Sequence, residues 1–327
     1  MLTAAISKRN KQINNNNPKN FKTMNKKNYL FIALAALAFT ACSNDDEPGV
    51  NNGPVAAQVT AGIEGVQTRA AGTSWDKGDQ IGITAESTKT NYTNVLYTTA
   101  NGDGDFTSDS PIYFQTLEEV TFKAYYPYVA DKETVEKTIT ANDQETIAQK
   151  KIDYMFATGA KASKTSPTVK FVNNIPSGDT DARFQHCMSM VTLTFQQGDD
   201  TDLKNMTDFT VKLTMTGTFN TTNGEAKATD EPVSELKITE TQTESATYTK
   251  SLILFPQDVE NGKFDLSLTL GGQTYKTTLT LPNSAKALAS GMNYTFKIRV
   301  NKTEIDVEGA TIAGWGDGGS GSGNATM

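Results

Sequence analysis

Apolar and polar residues alternate with a period of two along most of the chain beyond residue 54, the pattern of strands with one buried and one solvated face. Val55, Ala57, Val59, Ala61 and Ile63 fall on one face, and Gln58, Thr60 and Glu64 on the other. The alternation returns at Val120, Phe122, Ala124 and Tyr126, at Val191, Leu193 and Phe195, and at Phe209, Val211, Leu213 and Met215. Near the end it runs through Phe264 to Leu270, Tyr275 to Leu281 and Tyr294 to Val300. Facing positions are mostly Thr, Lys, Ser and Asp, which suit a solvated sheet face. Turn clusters such as "NGDGD", "NTTNGE", "ENGK" and "LGGQ" separate the runs. Helical periodicity is scarce, and "DKETVEKTITANDQETIAQKK", residues 131–151, is its best candidate. Many short antiparallel strands with Gly and Asn turns predict an all-β fold, sandwich domains joined by Greek-key connections. The stretch "TGAKASKTSP" before Thr168 marks the expected boundary, giving domains over 70–166 and 167–327.

The amino-terminal end reads differently. An unbroken apolar run from Tyr29 to Ala41 is shorter than the ~20 residues a membrane-spanning helix requires. With Lys26 and Lys27 before it, it has the order of a secretory leader beginning at Met24 within residues 1–41. "FTAC" resembles a lipobox, which implies lipid attachment at Cys42, cleavage before it, and a mature chain held in the outer membrane. The following "SNDDE" resembles the tag that directs lipoproteins to the outer face of that membrane in Gram-negative gut and oral anaerobes; it also reads as a solvated tether.

Removing the leader changes the charge balance. Residues 1–41 carry seven Lys or Arg and no acid, so 30 basic residues fall to 23 against 37 acids, a net charge of about −14. A surface of that sign repels nucleic acid. With Cys42 lipidated, Cys187 is the one remaining thiol and no intramolecular disulfide can form. His186 is the only histidine, which leaves a His-based metal site or a Ser-His-Asp arrangement a single residue to draw on. It enters a strand in "ARFQHCMSMVTLTF", where a structural histidine is expected, and Cys187 beside it would point to the opposite face. "NGDGDFTSDSPI" opens like a calcium loop with Asn101, Asp103 and Asp105, but Phe106 replaces the required Gly and Ile112 the bidentate Glu. A hairpin turn is the expected reading. No catalytic constellation, metal site or cofactor site is predicted.

The ordered set "TRAAGTSWDKGDQIGI", "VTFKAYYPY", "DYMFATG", "FQHCMSMVTLTF", "LILFPQ", "SGMNYTFKIRV" and "IAGWGDG" resembles the fimbrillin, or Mfa-like, family of type V pilus subunits. The resemblance implies two transthyretin-like sandwich domains and export as a surface lipoprotein. It further implies cleavage after an arginine that releases the first strand, so that the groove accepts a strand from the next subunit. The matching arginine is Arg69 in "GVQTRAAG", cut before Ala70 by a surface arginine-specific protease; an uncut surface loop is the alternative. Residues 42–69 would then be a lipidated tether and removable strand.

Strand physics supplies the consequence. Losing Val55 to Ile63 uncovers three large aliphatic side chains and several ladder hydrogen bonds, a vacancy of order 10 kcal/mol that rivals a domain's whole stability. An open groove of this kind invites another chain, and because donor and groove are different faces of a subunit, the polymer is a head-to-tail filament of like subunits. The expected donor is the C-terminal segment "KTEIDVEGATIAGWGDGGSGSGNATM", with Ile305 and Val307 alternating against acids, a bulge at Gly309, and Ile312 and Trp315 beyond it. An ordinary last strand of its own domain is the equal alternative. The function expected is therefore a fimbrial subunit contributing to adhesion to a host or bacterial ligand. The alternative is a permanently lipid-anchored surface protein that anchors a pilus or binds glycans or host proteins. Neither is an enzyme.

Overall fold

Period-two alternation becomes strand throughout the computed structural model, which describes residues 53–64, 74–89, 91–173, 181–243 and 246–315. The leader, Cys42, Arg69 and Ala70 lie outside the described residues. In the first half, β3 (Gln80–Glu86), β4 (Asn91–Thr98), β7 (Val120–Tyr126), β9 (Met155–Ala162) and β11 (Gln185–His186) form an antiparallel sheet in the order β11-β9-β7-β3-β4. A second layer places β2 (Gln58–Ala61) between β5 (Asp105–Phe106) and β10 (Thr168–Phe171), with β1 (Val55–Ala56) on β6 (Tyr113–Phe114). Inward residues of both layers, among them Val59, Ile81, Ile83, Phe106, Phe122 and Phe171, close one core.

The second half repeats the design. One sheet runs β17-β12-β22-β23, from β17 (Thr247–Leu254), β12 (Ser189–Gln197), β22 (Met292–Val300) and β23 (Ile305–Gly314). The other runs β16-β13-β19-β20, from β16 (Ser234–Thr239), β13 (Met206–Leu213), β19 (Lys263–Leu270) and β20 (Gln273–Thr280). Val191, Leu193 and Phe195 of the first meet Phe209, Val211 and Leu266 of the second in a separate core. The β19–β20 hairpin turns on Gly271 (φ 58) and Gly272 (φ 82) between the paired Leu270 and Gln273, a two-residue turn needing left-handed backbone at both positions. Short β18 (Gln257–Asp258) pairs with β21 (Ala287–Leu288) at its margin.

A third cluster joins the halves. β8 (Thr134–Thr138) pairs with β14 (Thr216–Asn220), which also carries β15 (Ala226–Ala228). Tyr154 stacks on Phe219 at 4.7 Å, with Phe255 and Met188 beside them. Gln144 reaches over from the first half and satisfies both backbone groups of Ile253, accepting from its N–H at 2.9 Å and donating to its carbonyl at 2.8 Å. A buried amide thereby stands in for a neighbouring strand at the edge of β17. Residues from Gly53 onward make one compact unit.

Four expectations change. Residues 131–151 are not one helix: Val135 pairs with Phe219 within β8, and only Thr146–Gln149 (α1) is α-helical. The boundary expected at 166–167 falls inside the first core, because β10 lies parallel to β2 and the fabric continues to His186 in β11. Strands of the second core begin at Ser189. The bulge in the last strand lies one residue early: Lys297 faces Gly309 and Ile298 faces Val307, so the extra residue is Glu308. Pairing is also not wholly antiparallel, since β2 with β10 and β12 with β22 run parallel. Such pairs need long crossovers, which a reading of neighbouring strands alone does not reveal.

Candidate functional site

The first segment is the middle strand of its layer. β2 bonds β10 in register from Gln58 opposite Thr168 to Ala61 opposite Phe171, and β5 through Val59 opposite Phe106. Its ends are tied as well: Ala57 N–H donates to the Ile112 carbonyl at 2.8 Å, Gly62 N–H to Phe171 at 2.9 Å and Glu64 N–H to Phe184 at 2.7 Å. Ala57, Val59, Ala61 and Ile63 are buried, as the alternation predicts, while Val55 is half-buried. Two buried aliphatics, Val59 and Ile63, contribute about 1.5–3 kcal/mol each, less than the three-residue reading implies, and the small Ala57 and Ala61 fill the other inward places. Trp75 closes the far wall. Its Nε1–H donates to the Ala61 carbonyl at 2.7 Å and its ring meets Phe106 (5.1 Å), Tyr126 (5.5 Å) and Phe184 (5.1 Å) edge to face.

The last segment occupies an edge. β23 pairs along its whole length with β22, Ala310 is buried, and Ile305, Val307 and Ile312 are half-buried against the second core. Trp315 packs instead against the cluster between the halves. In this state the C-terminal segment is the last strand of its own sheet. Its inward set, Ile305, Val307, Ala310 and Ile312, spans the bulge at Glu308.

The other arginines are held down. Arg183 makes a forked contact with Asp181, Nη2 to Oδ2 at 2.6 Å and Nε to Oδ1 at 3.0 Å, and comes within 3.9 Å of Glu64. Arg299 lies in β22 and pairs with Glu308. The alternating pattern around Arg299 already marks it as strand-protected, whereas Arg183 sits in a polar stretch of sequence whose restraint comes from these contacts.

His186 is buried, and its Nδ1 lies 2.9 Å from Asp153, a partner the sequence does not signal because 33 positions separate them. Its ring stacks on Trp315, centroids 4.4 Å apart and 6° from parallel. Cys187 is buried and unbridged, and burial, with the Asp153 carboxylate adding to it, pushes its thiol up to about 12. Such a thiol is inert at neutral pH. A thiol whose folded value exceeds its unfolded value stabilises the fold fully below the unfolded value, and that contribution is lost as pH rises towards the folded one. The expected outcome is therefore loss of stability from about pH 9 upward, at most about 1.4 kcal/mol per pH unit for this group. Urea titrations at pH 8, 9.5 and 11 check it, and Cys187→Ser should flatten the slope. Asp103 accepts the Asp105 N–H at 3.1 Å within the β4–β5 connection, which is the expected hairpin. Among the described residues no group of three His, Cys, Asp or Glu side chains could hold a metal ion.

Comparison with known proteins places these features in context. The model of the family described as fimbrillin-like matches residues 68–315. A candidate cell adhesion protein of Bacteroides ovatus ATCC 8483 has a similar structure at 28% identity and a TM-score of 0.68, covering 80% of this chain and 98% of its own. A candidate cell adhesion protein of Bacteroides uniformis ATCC 8492 is similar at 25% identity and a TM-score of 0.61, covering 80% and 99%. A search of curated proteins finds no match.

Proposed function

Given that this chain belongs to the fimbrillin-like family, we propose that it is a structural subunit of a type V fimbria whose first strand is a removable plug. It is a fimbrial, adhesin-type protein of the cell surface. In the proposal the chain is exported as a lipoprotein on Cys42, cut between Arg69 and Ala70, and polymerised head to tail by strand donation, contributing to adhesion. The observation that carries it is the central place of β2 between β5 and β10, with Arg69 five residues past the last described residue of that segment. Removing a middle strand opens two hydrogen-bonding edges and an apolar trough together, whereas removing an edge strand opens one edge. The role is structural rather than catalytic.

The donor in this reading is the segment bearing Ile305, Val307, Ile312 and Trp315. Amine-reactive crosslinking of assembled material made from two isotopic forms tests it. Inter-subunit links from Lys302 to lysines flanking the trough, such as Lys170, are expected; links confined to single subunits would move the donor elsewhere. One observation favours a second reading, a subunit permanently anchored by its lipid: β23 is fully paired to β22 in its own sheet. That reading requires an N-terminus that stays at Cys42.

A further inference from the structure

The two segments that the proposed assembly would mobilise converge on one short stretch, Phe184–Gln185–His186. On one side the Phe184 carbonyl accepts the Glu64 N–H at 2.7 Å and its N–H donates to the Gly62 carbonyl at 2.9 Å, forming the parallel bridge between Ile63 and Phe184. On the other side, two residues along, the His186 ring carries Trp315 in parallel stacking at 4.4 Å. Glu64 and Trp315 line the same hollow of about 240 Å³, with Gln185, His186 and Gly291 between them.

The stretch is anchored at several points. His186 is pinned to Asp153 at 2.9 Å, and Gln185 and His186 pair with Phe156 and Met155. The Trp315 backbone N–H donates to the Gly291 carbonyl at 2.7 Å, and the Gly291 N–H donates to the Met188 carbonyl at 2.8 Å. Gly291 has φ 69, and a Cβ there would sit 3.1 Å from the His186 carbonyl, so this turn is fitted closely to the His186 backbone. The clasp is also made to open. His186 Nε2 and Trp315 Nε1 are both buried without a protein hydrogen-bond partner, so parting the rings gives water to two polar groups that the closed form leaves unpaired.

We propose that the His186–Trp315 stack is a clasp that couples the two segments: with residues 62–64 in place, Phe184 and His186 are held where Trp315 can dock and β23 stays home. Departure of the first strand frees Phe184, loosens His186 and releases the end of β23. Its meaning for assembly rests on the function proposed above, since release of a donor only after cleavage would keep unprocessed subunits from polymerising. The coupling itself does not depend on that reading. Coupling of this kind is reciprocal, so it can be measured from either end in the uncut chain.

Hydrogen exchange of the full chain, read by mass spectrometry, is the test. In Trp315→Ala, amides in peptides covering 58–64 and 182–186 should exchange about tenfold faster, the scale of one lost interaction, and Trp315→Phe, which can still stack, should restore most of the protection. From the other end, Glu64→Pro deletes the N–H that bonds Phe184 and should speed exchange at 310–315. Faster exchange confined to 305–315 in the first variant, or to 58–64 and 182–186 in the second, would overturn the coupling. Failure of the proposed function, by contrast, would show as absence of cleavage at Arg69 and leave these exchange rates as they are.

Discussion

Replacing Arg69 with alanine is expected to abolish conversion of the lipidated precursor into high-mass polymer while leaving its folding unchanged. The expectation rests on an asymmetry among the arginines. Arg183 is clamped by Asp181, and Arg299 lies within a paired strand, opposite Asp306 and ion-paired with Glu308. Arg69 lies five residues beyond the segment whose removal would open the first core. Surface fractions of cells making the variant should contain a Cys42-linked monomer and no ladder of detergent-resistant species on denaturing gels. Polymer in normal amounts would show that assembly does not pass through this cut. The charge would report the same event, because cutting residues 42–69 away removes four acids and one arginine and takes the mature chain from about −14 to about −11.

Val59→Asp is expected to have the second-largest effect, which in the proposed assembly falls on the precursor alone. Val59 is 3% exposed, between Val169 of β10 and Phe106 of β5. A carboxylate there has no cation to pair with in the buried set around it, and it must either be protonated or drive the strand out of the layer. A loss of about 3–5 kcal/mol is expected, within the range of an unpaired buried charge. Urea unfolding of the uncut variant should show the first core melting well before the second. A midpoint within about 1 kcal/mol of the parent would mean that β2 is not an integral part of the fold. In a polymer formed after cleavage residue 59 is gone, so material assembled from variant and parent subunits should be equally stable.

Much of this was legible in the sequence because period-two alternation survives wherever a sheet has one wet face. The inward set of Ala57, Val59, Ala61 and Ile63 and the strands around Val191, Phe209, Phe264 and Tyr294 follow from it directly. Residues 131–151 did not, since their charged and Thr-rich pattern suits either element until Phe219 pairs with Val135 across the junction. Nor did the boundary: "TGAKASKTSP" has the composition of a linker, yet much of it lies in β9, and β10 follows to cover β2. The parallel pairings, the Gln144 clasp on Ile253 and the Asp153–His186–Trp315 group all join residues far apart in the chain. Only tertiary contact creates them, so no local period or spacing could announce them. The candidate site divides the same way: the inward alternation of its first strand is readable in the sequence, and the central position of that strand in the fold alone.

The most direct test of the removable strand is the N-terminal residue and mass of the protein sheared from native cell surfaces. The account predicts Ala70 at the terminus of chains within high-mass, detergent-resistant assemblies. A lipidated Cys42 at the terminus of a monomer would contradict it and leave the first strand a permanent part of an anchored surface protein.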